Sequence, residues 1–153
     1  YYRTVPDPTA YFTAAFAGQT FDAIIGYATL HHLPLTELAQ QVYDRLKPGG
    51  VAVFAEPVIN SPMLNWVRRC IPYSFHEDTE DEQPLNDSDI ESFARPFQRI
   101  VLRRFQCVSR LWPMFPNNFA LAKALHRLDH HLMKVPVLRR FATVAVFALY
   151  RDR

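Results

Sequence analysis

Glycine is scarce: four occur in 153 residues, at Gly18, Gly26, Gly49 and Gly50. A Gly-x-Gly-x-x-Gly turn clusters its glycines because backbone that approaches a ligand closely tolerates no side chain. None of the three spacings between them can form one. Cysteine is scarcer still, with Cys70 and Cys107 far apart in apolar or basic surroundings and lacking short ligand spacing. That argues against a disulfide framework or thiolate zinc site and fits a reducing, cytoplasmic setting. No apolar run approaches the roughly 18 to 20 residues that span a bilayer, and no signal-peptide pattern opens the chain, so a soluble protein is expected. Charge of one sign is lacking too: the net charge is +2, and the pairs Arg68-Arg69, Arg103-Arg104 and Arg139-Arg140 are scattered. A nucleic-acid surface needs a concentrated basic stripe, so nucleic acid is not an expected partner.

What is present is enough apolar content, 49% against 21% charged, to bury one ordinary core. The opening Tyr1-Tyr2-Arg3-Thr4-Val5 reads as the interior of an element, and a truncated start is expected. Phe21-Asp22-Ala23-Ile24-Ile25-Gly26-Tyr27 follows a turn signal and predicts a buried strand. Leu35, Leu38, Ala39, Val42 and Leu46 recur at helical spacing after Pro34, predicting a helix over 35–46 that Pro48-Gly49-Gly50 stops. Residues 51–55 predict a second strand. Proline and acids dominate residues 57–89, which predict an irregular loop or lid with one short helix around 63–70. Asp87, Ser88 and Asp89 are N-cap candidates for a helix reaching 94 or 97; a strand over 100–109, a helix over 117–133 and a final strand over 141–150 complete the reading.

Strand, helix, strand in this order fits a crossover between parallel strands with both faces covered, hence an α/β sheet. The block Phe21-Asp22-Ala23-Ile24-Ile25, Leu30-His31-His32-Leu33 and Leu46-Lys47-Pro48-Gly49-Gly50-Val51-Ala52-Val53 resembles the second half of class I S-adenosylmethionine-dependent methyltransferases. Order and spacing both agree, and Glu56-Pro57, Asp81 to Leu85 and Leu128 to Arg140 resemble one branch acting on small molecules. The resemblance implies one incomplete domain over 1–153: a partial Rossmann-like fold, mostly parallel, with helices on its faces and a C-terminal antiparallel strand beside the second predicted strand. It implies S-adenosyl-L-methionine as cofactor and a small-molecule methyl acceptor. The family's glycine-rich turn has no counterpart here, so the resemblance also implies that this chain alone is inactive.

Ligands of such sheets bind beyond the carboxyl ends of the strands. The resemblance therefore places Gly26, Tyr27 and Ala28 beside the cofactor's methionine or ribose portion, His31 and His32 on the pocket wall, and Asp7 near the adenine. Glu56, ending an apolar strand at that edge, and Asn60 are the candidate substrate contacts; a carboxylate there orients a hydroxyl or amine, accepts its proton, or caps structure. The two histidines line a pocket, pack, or transfer protons, but lack a third ligand for a metal. His126 and His130, four apart on a predicted helix, read as its polar surface, and the acids of residues 76–82 as a solvated loop. Trp112-Pro113-Met114-Phe115-Pro116 with Arg110 forms a lid, packs in the core, or rests on a membrane surface, so peripheral membrane contact stays open. No catalytic base is assigned. The alternative reading is a non-catalytic partner subunit that keeps the sheet and binds protein through its loops.

Overall fold

The structure, a computed structural model, describes residues 14–64, 66, 84–115 and 117–152. Four strands form one sheet: β1 (Phe21–Tyr27), β2 (Leu46–Pro57), β3 (Arg99–Phe105) and β4 (Val144–Tyr150), in the order β1-β2-β4-β3. β1 and β2 are parallel, and β4 is antiparallel to both its neighbours, so β1, β2 and β3 all point the same way. Parallel neighbours need a crossover connection between β1 and β2, most often a helix. That helix is α1 (Leu35–Arg45); α2 (Asp87–Ala94) and α3 (Phe119–Leu132) follow.

Side chains alternate across a strand, and the alternation sets the core. Ala52, Phe54 and Glu56 of β2 are buried, as are Ala145, Phe147 and Leu149 of β4, while the residues between them are only half-buried. Leu38, Ala39 and Val42 of α1 and Ile90 and Phe93 of α2 close over this face. Phe93 meets Phe54 edge-on with ring centroids 5.4 Å apart, a geometry worth about 0.5–1.5 kcal/mol beyond area burial. Ile25 and Tyr27 point to the other face of the sheet and are exposed.

Gly26 is where the core admits no side chain. A Cβ built there would stand 2.5 Å from Cδ1 of Phe54, whose ring is buried. Gly26→Ala is expected to cost about 1–3 kcal/mol through overpacking, read as a fall in unfolding midpoint; an unchanged midpoint would mean that the ring moves freely.

Several boundaries differ from the sequence expectation. α1 ends at Arg45, and Leu46 is already extended, so no glycine caps it. The guanidinium of Arg151 does so instead, donating to the carbonyls of Tyr43 (3.0 Å) and Leu46 (2.6 Å), because helix-end carbonyls need donors from elsewhere. Lys47 to Gly50 belong to β2 as a bulge: Phe21 lies opposite Leu46, but Ala23 lies opposite Val51. Gly49 takes φ +80 there, the conformation glycine adopts without strain.

The N-cap of α2 is Asn86, not a residue of 87–89. Its side chain accepts from Asp89 N–H (3.0 Å) while the Asp89 carboxylate accepts from Asn86 N–H (2.8 Å), a capping box. Asn118 caps α3 with one bond only, its side chain accepting from Leu121 N–H at 3.0 Å. β3 ends at Phe105 rather than near 109, and Ser109–Met114 is a 3-10 turn. β4 begins at Val144, after another 3-10 turn at Pro136–Phe141. Within 57–89, Val58 bridges Leu85 and α2 already begins at Asp87. Residues 62–64 and 66 are helical, and the remainder of the helix expected over 63–70 lies outside the described residues, as do the acids of 76–82.

Candidate functional site

Because β1 and β2 are parallel neighbours, their carboxyl ends share one rim of the sheet. β1 leaves it at Ala28, which takes φ +49 while its N–H donates to Ala55 O at 2.9 Å. The left-handed turn redirects the chain across the rim into a 3-10 turn, Leu30–His32. The segments 27–32 and 56–60 thus converge, as the sequence reading requires.

Glu56 is the pivot of that convergence. It has the parity of Ala52 and Phe54, so its side chain enters the core face, where it is 1% exposed. A buried carboxylate must be satisfied by donors. Oε1 accepts from Thr29 N–H (2.9 Å) and Leu30 N–H (3.0 Å), and Oε2 pairs with Nδ1 of His31 at 2.9 Å. An ionised carboxylate offers only acceptors, so against one Nδ1 is the donor, and the neutral form of the ring then keeps its lone pair on Nε2. The His31 side chain is itself 8% exposed. His32 is exposed, its ring centroid 3.9 Å from that of His31.

Asn60, the other expected substrate contact, lies just beyond the end of β2. Its Oδ1 accepts from Asp87 N–H at 2.8 Å, tying the rim to the start of α2, and its Nδ2 is buried with no partner among the described residues. Asp87 also receives Arg104 Nη2 at 2.7 Å. Tyr27 is exposed beside Ala28, and Gly26 packs on Phe54. Asp7 lies outside the described residues. His126 and His130 are exposed on α3.

A second buried carboxylate escaped the sequence reading. Asp129, on α3, accepts from the N–H groups of Cys107 (3.0 Å), Val108 (2.7 Å) and Ser109 (3.1 Å) and from the Ser109 hydroxyl. It pins α3 to the start of the 3-10 turn that follows β3. Burial, and after it the Asp129 charge, push the Cys107 thiol above its ordinary range. The available signal was that Asp129 is the single acid between residues 106 and 143.

No protein-family model matches the sequence, and no curated protein matches it. Solved structures do. An S-adenosylmethionine-dependent methyltransferase from Archaeoglobus fulgidus aligns with a TM-score of 0.58 at 14% identity, over 95% of this chain and 65% of that one. Phosphoethanolamine N-methyltransferase 2 of Haemonchus contortus, in complex with S-adenosyl-L-methionine, aligns with a TM-score of 0.50 at 16% identity, over 87% of this chain and 34% of that one. The chain therefore spans less than two thirds of either protein.

Proposed function

From a chain that carries the fold of class I S-adenosylmethionine-dependent methyltransferases, we propose that its rim is the acceptor side of a methyl-transfer site serving a small molecule. The observation that carries the reading is the Glu56–His31 pair at the carboxyl ends of β1 and β2, where ligands of open α/β sheets bind. When bound, S-adenosylmethionine supplies an electrophilic methyl group on a sulfonium that leaves as a neutral thioether.

The residues present fit part of that cofactor. The positive φ of Ala28 and the exposed ring of Tyr27 offer turn backbone and a flat surface beside the end of β1. In this reading Gly26, Tyr27 and Ala28 hold the methionine or ribose portion, His32 lines the wall, and Asp7 sits near the adenine. His31 then faces the acceptor: Nε2 takes the proton that a hydroxyl or ammonium must lose as it is methylated, and Glu56 stabilises the resulting imidazolium. Glu56 thereby acts through His31 rather than by touching the acceptor. Asn60 holds the adjoining rim, and part of 57–89 covers the site. Burial in the rim serves alignment and exclusion of water, which direct displacement needs more than it needs acid-base help.

One observation favours a second reading. With four glycines, all placed outside any glycine-rich turn, the chain lacks the element that lets the cofactor lie against the sheet. A non-catalytic, methyltransferase-like subunit that binds protein through its loops would need none. The upstream reading frame and a transfer assay separate the two. A strand followed by Gly-x-Gly-x-Gly upstream of Tyr1, and labelled methyl passed by that longer product to a small-molecule acceptor, support the enzyme. A start codon at this point, without transfer, favours the partner. The 153-residue chain alone is expected to show no turnover and no micromolar binding of S-adenosylhomocysteine by calorimetry.

A further inference from the structure

The connection between β3 and β4, residues 106–143, differs chemically from the rest of the chain. It holds six bases and one acid, hence a charge of +5 in a chain whose net charge is +2. The acid, Asp129, is buried and occupied by the donors of residues 107–109, so no negative side chain of this connection faces solvent. Lys123, Arg127, Lys134, Arg139 and Arg140 are all exposed. Interspersed with them stand large apolar side chains that are exposed as well: Trp112, Phe115, Phe119 at 77%, Leu128, Val135 and Val137 at 60%.

Cationic and apolar groups interleaved on one excursion suit a particular occupant. A second copy of this connection would bring like charges together, and phosphates of a nucleic acid would leave Leu128, Val135 and Val137 without a partner. An anionic phospholipid surface satisfies both sets: headgroup phosphates meet the bases, and the boundary with the acyl chains takes the apolar side chains. Both roots of the connection lie at the rim described above, since Ala145 is paired with Glu56 on one side and Arg104 on the other. We propose that residues 106–143 dock the protein peripherally on anionic phospholipid. The inference does not rest on methyl transfer.

The test is sedimentation of the chain with vesicles of phosphatidylcholine alone and of phosphatidylcholine mixed with phosphatidylglycerol. Binding to the mixed vesicles only, weakening as salt is raised, is the expected result. Arg127→Gln with Lys134→Gln should weaken it about 25-fold, from roughly fivefold per charge removed, and Trp112→Ala with Phe119→Ala should weaken it at constant charge. If a variant does not fold, the salt and composition series of the unaltered chain decides. Absence of binding to the mixed vesicles, equal binding to both, variants that bind as the parent does, or self-association through this connection without lipid binding would each overturn the proposal.

Discussion

Glu56→Leu should remove about 3–5 kcal/mol of stability, measured by urea unfolding, although leucine fits the space. The carboxylate receives Thr29 N–H, Leu30 N–H and His31 Nδ1, and all three lose their acceptor, the first and last where they are part-buried and Leu30 N–H where it is buried. Glu56→Gln keeps an oxygen for the two backbone donors, so about 1–2 kcal/mol is expected. The order matters more than the values. If leucine were no worse than glutamine, burial of the side chain, not its hydrogen bonds, would hold the rim. In any longer product that carries a glycine-rich turn, Glu56→Gln should also slow transfer to a protonated acceptor by about 10²–10⁴, because the tautomer it favours takes the lone pair from His31 Nε2, the proposed base.

Asp129→Ala should cost about 3–5 kcal/mol, because three N–H groups and the Ser109 hydroxyl lose one shared acceptor. Its effect should be confined. α3 and the 3-10 turn Ser109–Met114 pack mainly on each other, so hydrogen exchange should rise over 107–114 and 119–132 while the protons of β2 and β4 stay protected. Asp129→Asn removes the charge that adds to burial in raising the Cys107 thiol. The folded variant should therefore show a lower thiol pKa and faster alkylation of Cys107 in mildly alkaline buffer. Exchange rising equally across the sheet would mean that the clamp supports the whole domain.

The elements that sequence reading located best are those whose signal is periodic. Phe21 to Tyr27 is a mostly apolar run bounded by a turn, and β1 occupies those residues, although none of them is buried as the run predicts. The helical spacing from Leu35 to Val42 produced α1 to within one residue. The bulge at Lys47 to Gly50 was invisible because its cause lies over a hundred positions away, where Gly49 N–H donates to Arg151 O and Arg151 serves the end of α1. The pairing of Glu56 with His31 was half legible. Counting in twos from Ala52 puts Glu56 on the buried face, which demands donors, and the 3-10 turn that supplies them follows β1 directly. Asp129 gave less to work with: a helix-borne acid that caps a distant turn leaves no periodicity, only its isolation among bases.

The central claim is that Glu56 fixes His31 with the proton on Nδ1 and the lone pair on Nε2 at the rim. Long-range proton–nitrogen correlation spectra of the ¹⁵N-histidine-labelled chain, recorded where the ring is neutral, read this directly. The account predicts the Nδ1–H tautomer for His31 in the parent and a shift toward Nε2–H in Glu56→Gln, whose amide donates where the carboxylate accepted. An Nε2–H tautomer in the parent, or no difference between the two proteins, would contradict it.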